Sequence, residues 1–258
     1  MNLLAFDTGT ESMSIAVART VAGQQRLWQH TAIGGAQAST GLIASILDLL
    51  NQAGLKLDAL DAICFGAGPG SFTGLRTACS VAQGLAFGAK VQVLPVDSLL
   101  AVAEEARHAA LADQPQGVVT ALLDARMNEV YVATYAFEGP HWTQLQGGAL
   151  VRPQDLGTYL RAMQHKLDLP EGTLAGNVFG VYGERLQVGQ RESTRSIAAL
   201  PTAAALLRLA PQLLAAGLAV EAEHALPLYI RDKVAQTTLE RAADKAATLA
   251  AATITPEV

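Results

Sequence analysis

Charge is scarce in this chain. Lys, Arg, Asp and Glu make up 16% of its 258 residues, and the net charge is −5. A protein that grips nucleic acid by itself carries a basic patch, so this balance speaks against that class; an RNA partner would have to be held by another subunit. Cysteine is scarcer still. Cys64 and Cys79 are the two present, both at apolar positions, with no C-x-x-C and no metal-ligand spacing. A reduced, cytoplasmic setting is the simple reading. Long apolar runs are missing too: nothing reaches the roughly 18 residues of a membrane span. The N-terminus has no positively charged leader, and its apolar run stops at Asp7, so no signal peptide is expected. The five histidines, His30, His108, His141, His165 and His224, are scattered with no ligand spacing. No Ser-His-Asp or Cys-His arrangement is legible in the spacing either, although such triads are spatial.

What the chain does have is apolar bulk, 50% of its residues. That suffices for a large core, as one two-lobed unit or two small domains. The most informative stretch is Gly66-Ala67-Gly68-Pro69-Gly70-Ser71-Phe72-Thr73-Gly74-Leu75-Arg76. The apolar run before it (61–65) reads as a buried strand. Leu75, Ala78, Cys79, Ala82 and Leu85 after it recur at helical spacing. A strand, a glycine-rich bend and a helix follow, with Ser71 or Thr73 as the helix cap. Glycines let a backbone, ligand or partner come close, and helix-start amides suit an anion. The stretch lacks the Lys-Ser/Thr of a Walker A loop, and Ser71 stands where a dinucleotide fingerprint has its third glycine. It reads as a tight connection or as a surface for a partner before it reads as a nucleotide site.

At the N-terminus an apolar run (2–6) ends at Asp7-Thr8-Gly9-Thr10, and 13–18 returns as an alternating strand. Asp7, Thr8, Gly9 and Thr10 form a candidate phosphate loop, with Asp7 placed to hold hydrated magnesium; an ordinary hairpin turn uses the same residues for turn chemistry. Residues 26–33 add a third strand. Helices are expected over 40–53 and 71–89, and their only charges are Asp48 and Arg76. An ordinary surface helix keeps a charged face. These two are either buried between layers or form a protein–protein surface, with Gly41, Ala44, Ser45, Ala78 and Gly84 permitting close approach.

Residues 91–96 read as a strand, and Ser98 as the cap of a helix to about 111. Residues 113–117 mark a boundary. Then the opening pattern repeats: an apolar strand (118–123) ends at Asp124, a short polar turn follows, and 130–137 returns. Two such units suggest a duplication with a cleft between lobes. The expected division is 1–112, 113–235 and an Ala-rich tail, 236–258. Beyond 140 the signal thins to a helix over 153–163, a strand over 173–177, a loop at 179–183, an apolar helix over 202–216 and an extended stretch over 226–235.

Taken together, Leu4-Ala5-Phe6-Asp7-Thr8-Gly9-Thr10-Glu11, the 66–76 loop, Leu122-Leu123-Asp124-Ala125-Arg126-Met127-Asn128-Glu129-Val130-Tyr131 and Tyr229-Ile230-Arg231-Asp232-Lys233-Val234-Ala235 resemble the bacterial TsaB (YeaZ) family. The Gly-Pro-Gly-Ser-Phe-Thr-Gly-Leu-Arg core is the most specific part. Gly9 departs from the family's usual Asp-Thr-Ser. The resemblance implies the two-lobed α/β fold shared by actin, hexokinase and the Hsp70 ATPase domain. It also implies a non-catalytic subunit that binds and activates TsaD. With TsaD and the ATPase TsaE, such a subunit serves synthesis of N6-threonylcarbamoyladenosine in tRNA, beside the anticodon. TsaD-like enzymes hold a metal with two histidines one helical turn apart; here no histidine lies between His30 and His108. The implied cofactors are none for the chain alone, with ATP and magnesium possible within the complex. In the family the N-lobe helices form both the homodimer and the TsaD interface. That points here to Leu42, Ile43, Ile46, Leu50, Phe72, Leu75, Arg76 and Cys79, with Leu75→Glu or Ile46→Glu expected to break association and spare the fold. The rival reading is a small-molecule kinase or ATPase of this fold, with the 7–10 turn on phosphate and Asp124 across the cleft. A peptidase reading lacks its metal pair.

Overall fold

The computed structural model describes residues 1–35, 38–169, 172–188 and 195–231. The Ala-rich tail and the Asp232-to-Ala235 part of the last motif lie outside the described residues. The first lobe runs β1 (Asn2–Asp7), β2 (Ser12–Val21), β3 (Gln24–Ile33), α1 (Ala38–Gln52), β4 (Ala62–Gly68), α2 (Phe72–Ala89), β5 (Gln92–Asp97) and α3 (Ser98–Ala110). The second runs β6 (Gln116–Asp124), β7 (Val130–Glu138), β8 (His141–Val151), α4 (Leu156–Leu167), β9 (Thr173–Gly176), α5 (Val178–Tyr182), β10 (Ser196–Ala198) and α6 (Ala203–Ala215).

The two runs share one wiring. The first sheet has the order β3-β2-β1-β4-β5, and the second, read from β8, has β8-β7-β6-β9-β10. In each, the first three strands are antiparallel and the next two join in parallel. The repeat suggested by Asp7 and Asp124 is thus a repeat of whole lobes, and the fold is the two-lobed α/β type of actin and hexokinase.

Side-chain size decides how the layers stack. On one face of the first sheet, Leu4, Phe6, Ile15, Val17, Ile63 and Phe65 pack against α1 and α2. On the other, Ala5, Ala16, Ala18, Ala62 and Cys64 meet α3 and α6. Period-two alternation of large and small residues puts bulk outside and lets the central helices come close. Those helices are Ala-rich where they face inward, at Ala101, Ala103, Ala106, Ala203, Ala205 and Ala210. One continuous core therefore joins both sheets through α3 and α6, while α4 and α5 cover the outer face of the second sheet.

A buried charge cluster pins this middle layer. Glu104 on α3, 2% exposed, accepts from Arg107 (2.7 Å), Arg208 on α6 (2.7 Å) and the Trp142 indole on β8 (3.0 Å). Glu105 accepts from Arg208 (2.6 Å) and from the Thr202 hydroxyl (2.6 Å).

Several elements differ from the sequence reading. β8 and β10 were not expected: β8 carries Gly147 and Gly148 and lies at a sheet edge, which dilutes alternation, and β10 spans three residues. The expected loop at 179–183 is mostly the short helix α5. Asp97, not Ser98, caps α3, accepting from the Leu99 amide at 2.8 Å. Ser71 holds the cap position of α2 without a side-chain bond.

Candidate functional site

Between the lobes lies a cleft of about 450 Å³. Every stretch singled out in the sequence reaches it. Gly9, Thr10 and Glu11 come from the first aspartate turn, Pro69 to Phe72 from the glycine loop, Asp124 to Met127 from the second aspartate turn, and Leu228 to Arg231 from the C-terminal stretch. Asn177, at the start of α5, holds the place in the second lobe that the glycine loop holds in the first. Its amide oxygen accepts from the Asp124 backbone (2.9 Å), and its Nδ2 faces Glu11 across the cleft (3.4 Å).

The first turn and the glycine loop are docked directly on each other. The Ser71 amide donates to the Gly9 carbonyl at 2.7 Å. The Thr8 hydroxyl donates to the Gly74 carbonyl at 2.7 Å. A Cβ on Gly74 would sit 2.0 Å from the Thr8 carbonyl oxygen, one on Gly70 2.6 Å from that of Gly9, and one on Gly66 1.7 Å from Asp7 Oδ2. These glycines are present because another backbone or carboxylate occupies the space a side chain would need.

This docking corrects the placement expected for the candidate phosphate loop. Asp7 and Thr8 are fully buried and do not line the cleft. Asp7 Oδ1 accepts from the Gly9 amide (2.7 Å) and Oδ2 from the Ser98 hydroxyl (3.0 Å). Burial pushes the Asp7 carboxyl up to about 6; the bonds from Gly9 and Ser98 pull it partly back. A hydrated magnesium does not fit there, because neither carboxylate oxygen reaches solvent and both accept from protein donors. Gly9 and Thr10 do line the cleft, but the Gly9 amide is engaged by Asp7, and Thr10 Oγ bonds the Ser12 backbone (3.2 Å). The Gly9 amide, a donor that could meet a phosphate, is thus used inside the chain.

The second turn is more open. Asp124 accepts from Tyr182 Oη (2.7 Å) and from the Arg126 amide (2.9 Å), with the Arg126 guanidinium 3.1 Å away. Burial, then the bond to Asp124 and its charge, holds the Tyr182 phenol well above its ordinary range. Among the described residues no three of His, Cys, Asp and Glu gather as a metal site, and all five histidines are exposed. No helix of the described chain is long and apolar enough to cross a membrane.

The expected partner residues divide in two. Leu42, Ile46 and Leu50 of α1 and Leu75 and Cys79 of α2 are buried against the chain's own first sheet. Ile46 and Leu75 are 0% and 1% exposed, so a glutamate at either strikes the fold itself, contrary to the expectation that it would spare it. Ile43 and Arg76 are exposed, and Phe72 is half-buried under the Arg76 guanidinium, 3.8 Å from the ring centre. The sequence reading missed Leu47 (49% exposed) and Phe87 (80%), which share the outer side of α1 and α2. The signal was available: helical phase places Leu47 about 40° from Ile43 and about 100° round the helix from the buried Ile46.

Comparison with known proteins agrees with this architecture. A family model described as TsaD, tRNA N6-adenosine threonylcarbamoyltransferase, matches residues 29–239. The tRNA threonylcarbamoyladenosine biosynthesis protein TsaB of Escherichia coli is 30% identical over 242 residues, covering 91% of this chain and 96% of that protein. Its Haemophilus influenzae counterpart is 31% identical over 246 residues, covering 91% and 95%. The structure of YeaZ from Pseudomonas aeruginosa superposes with a TM-score of 0.73 at 37% identity, over 88% of this chain and 99% of that one. By sequence across nearly its whole length and by fold, the chain belongs to the TsaB (YeaZ) family of tRNA threonylcarbamoyladenosine biosynthesis proteins.

Proposed function

We propose that the chain is a non-catalytic subunit that binds and activates TsaD in the synthesis of threonylcarbamoyladenosine in tRNA. The observation that carries the reading is a contrast between two surfaces. Inside the cleft, the turn that would hold a nucleotide's phosphates is docked on the glycine loop, and its aspartate is buried. Outside, α1 and α2 present Ile43, Leu47 and Phe87 to solvent, and a Cβ on Gly41, Gly84 or Gly88 would meet nothing within 4 Å. An exposed apolar surface with open glycines suits another helix pair and does no chemistry. The TsaD face is placed here, on Ile43, Leu47, Gly84 and Phe87, flanked by Phe72 and Arg76. A second copy of the chain uses the same face in the absence of TsaD, so TsaD must displace it. TsaE joins the assembled pair. Nucleotide and magnesium, where the complex uses them, are held outside the 7–10 turn, and tRNA is reached through the other subunits.

Size-exclusion with light scattering, on the chain, on TsaD and on the mixture, tests this. The expected product is a species with the mass of one of each, formed at the expense of any homodimer. An unchanged elution of both components would sink the proposal. The rival ATPase reading predicts nucleotide turnover by the pure chain that is lost in Asp124→Asn, a cleft residue, with a thermal melt to show that the variant still folds without its charged acceptor for Tyr182.

A further inference from the structure

After α6 the chain recrosses the first lobe, passes along α2 and over the glycine loop, and ends its described course inside the second lobe. The first-lobe end is firmly tied. Val220 exchanges backbone bonds with Val93 on β5 (2.8 and 2.9 Å). The Ala225 carbonyl accepts from Gln83 Nε2 (3.0 Å) and Cys79 Sγ (3.3 Å) on α2. The Leu228 amide donates to the Ala67 carbonyl beside the glycine loop (2.7 Å). Tyr229 lies 5.7 Å from the Phe72 ring, and its hydroxyl accepts from Arg76 Nε (3.2 Å).

The second-lobe end rests on two side chains. Ile230 covers Gly148 of β8, where a Cβ would fall 2.2 Å from Ile230 Cδ1. Arg231 threads its guanidinium into the second aspartate turn, donating to the Ala125 carbonyl (3.1 Å), to Met127 Sδ (3.1 Å) and to the Glu129 carboxylate, while its buried Nε finds no partner among the described residues. That turn needs holding. Arg126, Met127 and Asn128 are three successive non-glycine residues in the left-handed region, with φ of 58°, 51° and 58°. Each is disfavoured for a residue with a Cβ and persists where its surroundings over-determine it. Asp124 fixes the turn from within, and Arg231 fixes it from across the cleft. Other cross-lobe hydrogen bonds among the described residues include the long one between Asn177 and Glu11 (3.4 Å) and that of the Tyr135 hydroxyl on β7 to Asp97 on β5 (2.7 Å).

We propose that residues 225–231 are a latch across the cleft, with a permanent end on the first lobe and a releasable end at Arg231. While Arg231 sits in the turn, Arg126 and Met127 are held opposite Phe72 and the cleft stays narrow. When it leaves, the turn relaxes from its left-handed run and the mouth widens, while the shared core through α3 and α6 stays closed. Arg231 is thus a positioning residue that sets access to the cleft, whatever enters there.

The test uses the full chain with hydrogen exchange and a spin-label distance. Cys64 and Cys79 are buried, so labels go only to Gln25→Cys and Lys166→Cys, exposed positions on the two lobes. In Arg231→Gln, exchange over 124–130 is expected to quicken by about tenfold while β1 and α3 are unchanged, and the distance distribution to move outward. Glu129→Gln, which weakens the same anchor from the other side, is expected to shift both readouts in the same direction by less. An unchanged distribution in Arg231→Gln overturns the latch. Acceleration in β1 and α3 equal to that in the turn also overturns it, because Arg231 would then be ordinary packing. If Arg231→Gln does not fold, Arg231→Lys keeps the charge but loses the planar fork, and the same comparison decides.

Discussion

Asp7 ends β1 facing inward, and its two oxygens accept from a backbone amide and a serine hydroxyl, with no charged neighbour among the described residues contributing to its shift. Its carboxyl is raised by burial from 3.8 to about 6. Between those values the native state keeps a proton that the unfolded chain has released, so stability falls as pH rises through that window. Above it the full cost of the buried anion stands, on the order of 3 kcal/mol. Asn keeps the shape, accepts from Gly9 and turns its amide to Ser98. Asp7→Asn is therefore expected to be no less stable than the parent at about pH 7.5 and to lack the decline through the acid window. Asp7→Ala strips both bonds and should lose roughly 2–3 kcal/mol. Urea melts across pH decide, and parallel curves for Asn and parent would mean Asp7 does not titrate there. The sequence alone could not reach this. An aspartate at a strand end reads alike whether it faces a cleft or a core, because what decides is Ser98, 91 residues away.

At the scale of the element, the periodicity of α1 and α2 was legible, and their missing charge is the missing charge of their exposed faces, which show Ile43, Leu47 and Phe87 to solvent. Which residues face which way was recoverable from phase, yet the most apolar positions drew attention first, and those are core. The two faces of α1 now separate cleanly. Ile46→Glu buries an unpaired charge and should unfold or severely destabilise the chain, by roughly 3–5 kcal/mol. Leu47→Glu, one position on and half exposed, should leave the melting temperature within a few degrees and abolish the mixed species with TsaD. Glycines in α2 divide in the same way. Gly74→Ala drives a methyl into the Thr8 carbonyl and should cost about 2–4 kcal/mol. Gly84→Ala fills open space and should stabilise the isolated chain by roughly 0.5–1 kcal/mol while weakening association, which thermal melts and light scattering report separately. β8 was illegible because an edge strand with two glycines shows no alternation, its inward contacts being the buried Trp142 near one end and the half-buried Leu150 and Val151 at the other.

The whole molecule is held by its middle layer, and the two lobes are less independent than a division near residue 113 suggests. The paired aspartate turns revealed the duplication, but nothing in local sequence announced that α6 would pack under the first sheet or that Arg208 would meet Glu104. Burial alone would raise the Glu104 carboxyl; the bonds from Arg107, Trp142 and Arg208 and the charge of Arg107 outweigh it and hold it below its ordinary 4.5. The sign is opposite to that of Asp7. Glu104 contributes stability that is present above 4.5 and is lost as pH falls through its lowered native value, whereas Asp7 relieves a cost as pH falls through about 6. The parent is thus expected to gain stability on mild acidification and to lose it on further acidification, with its maximum between the two regions. Glu104→Gln leaves two arginines without their buried carboxylate and should lose roughly 3–5 kcal/mol at neutral pH. Its acid limb should flatten while the limb governed by Asp7 persists, and the double variant with Asp7→Asn should lose both. Denaturation midpoints of the four proteins across pH would show it. A parent whose stability only falls on acidification from neutrality would mean that Asp7 relieves no cost there, and a Glu104→Gln acid limb parallel to the parent's would mean that the lobes are held chiefly by the apolar contacts of α3 and α6.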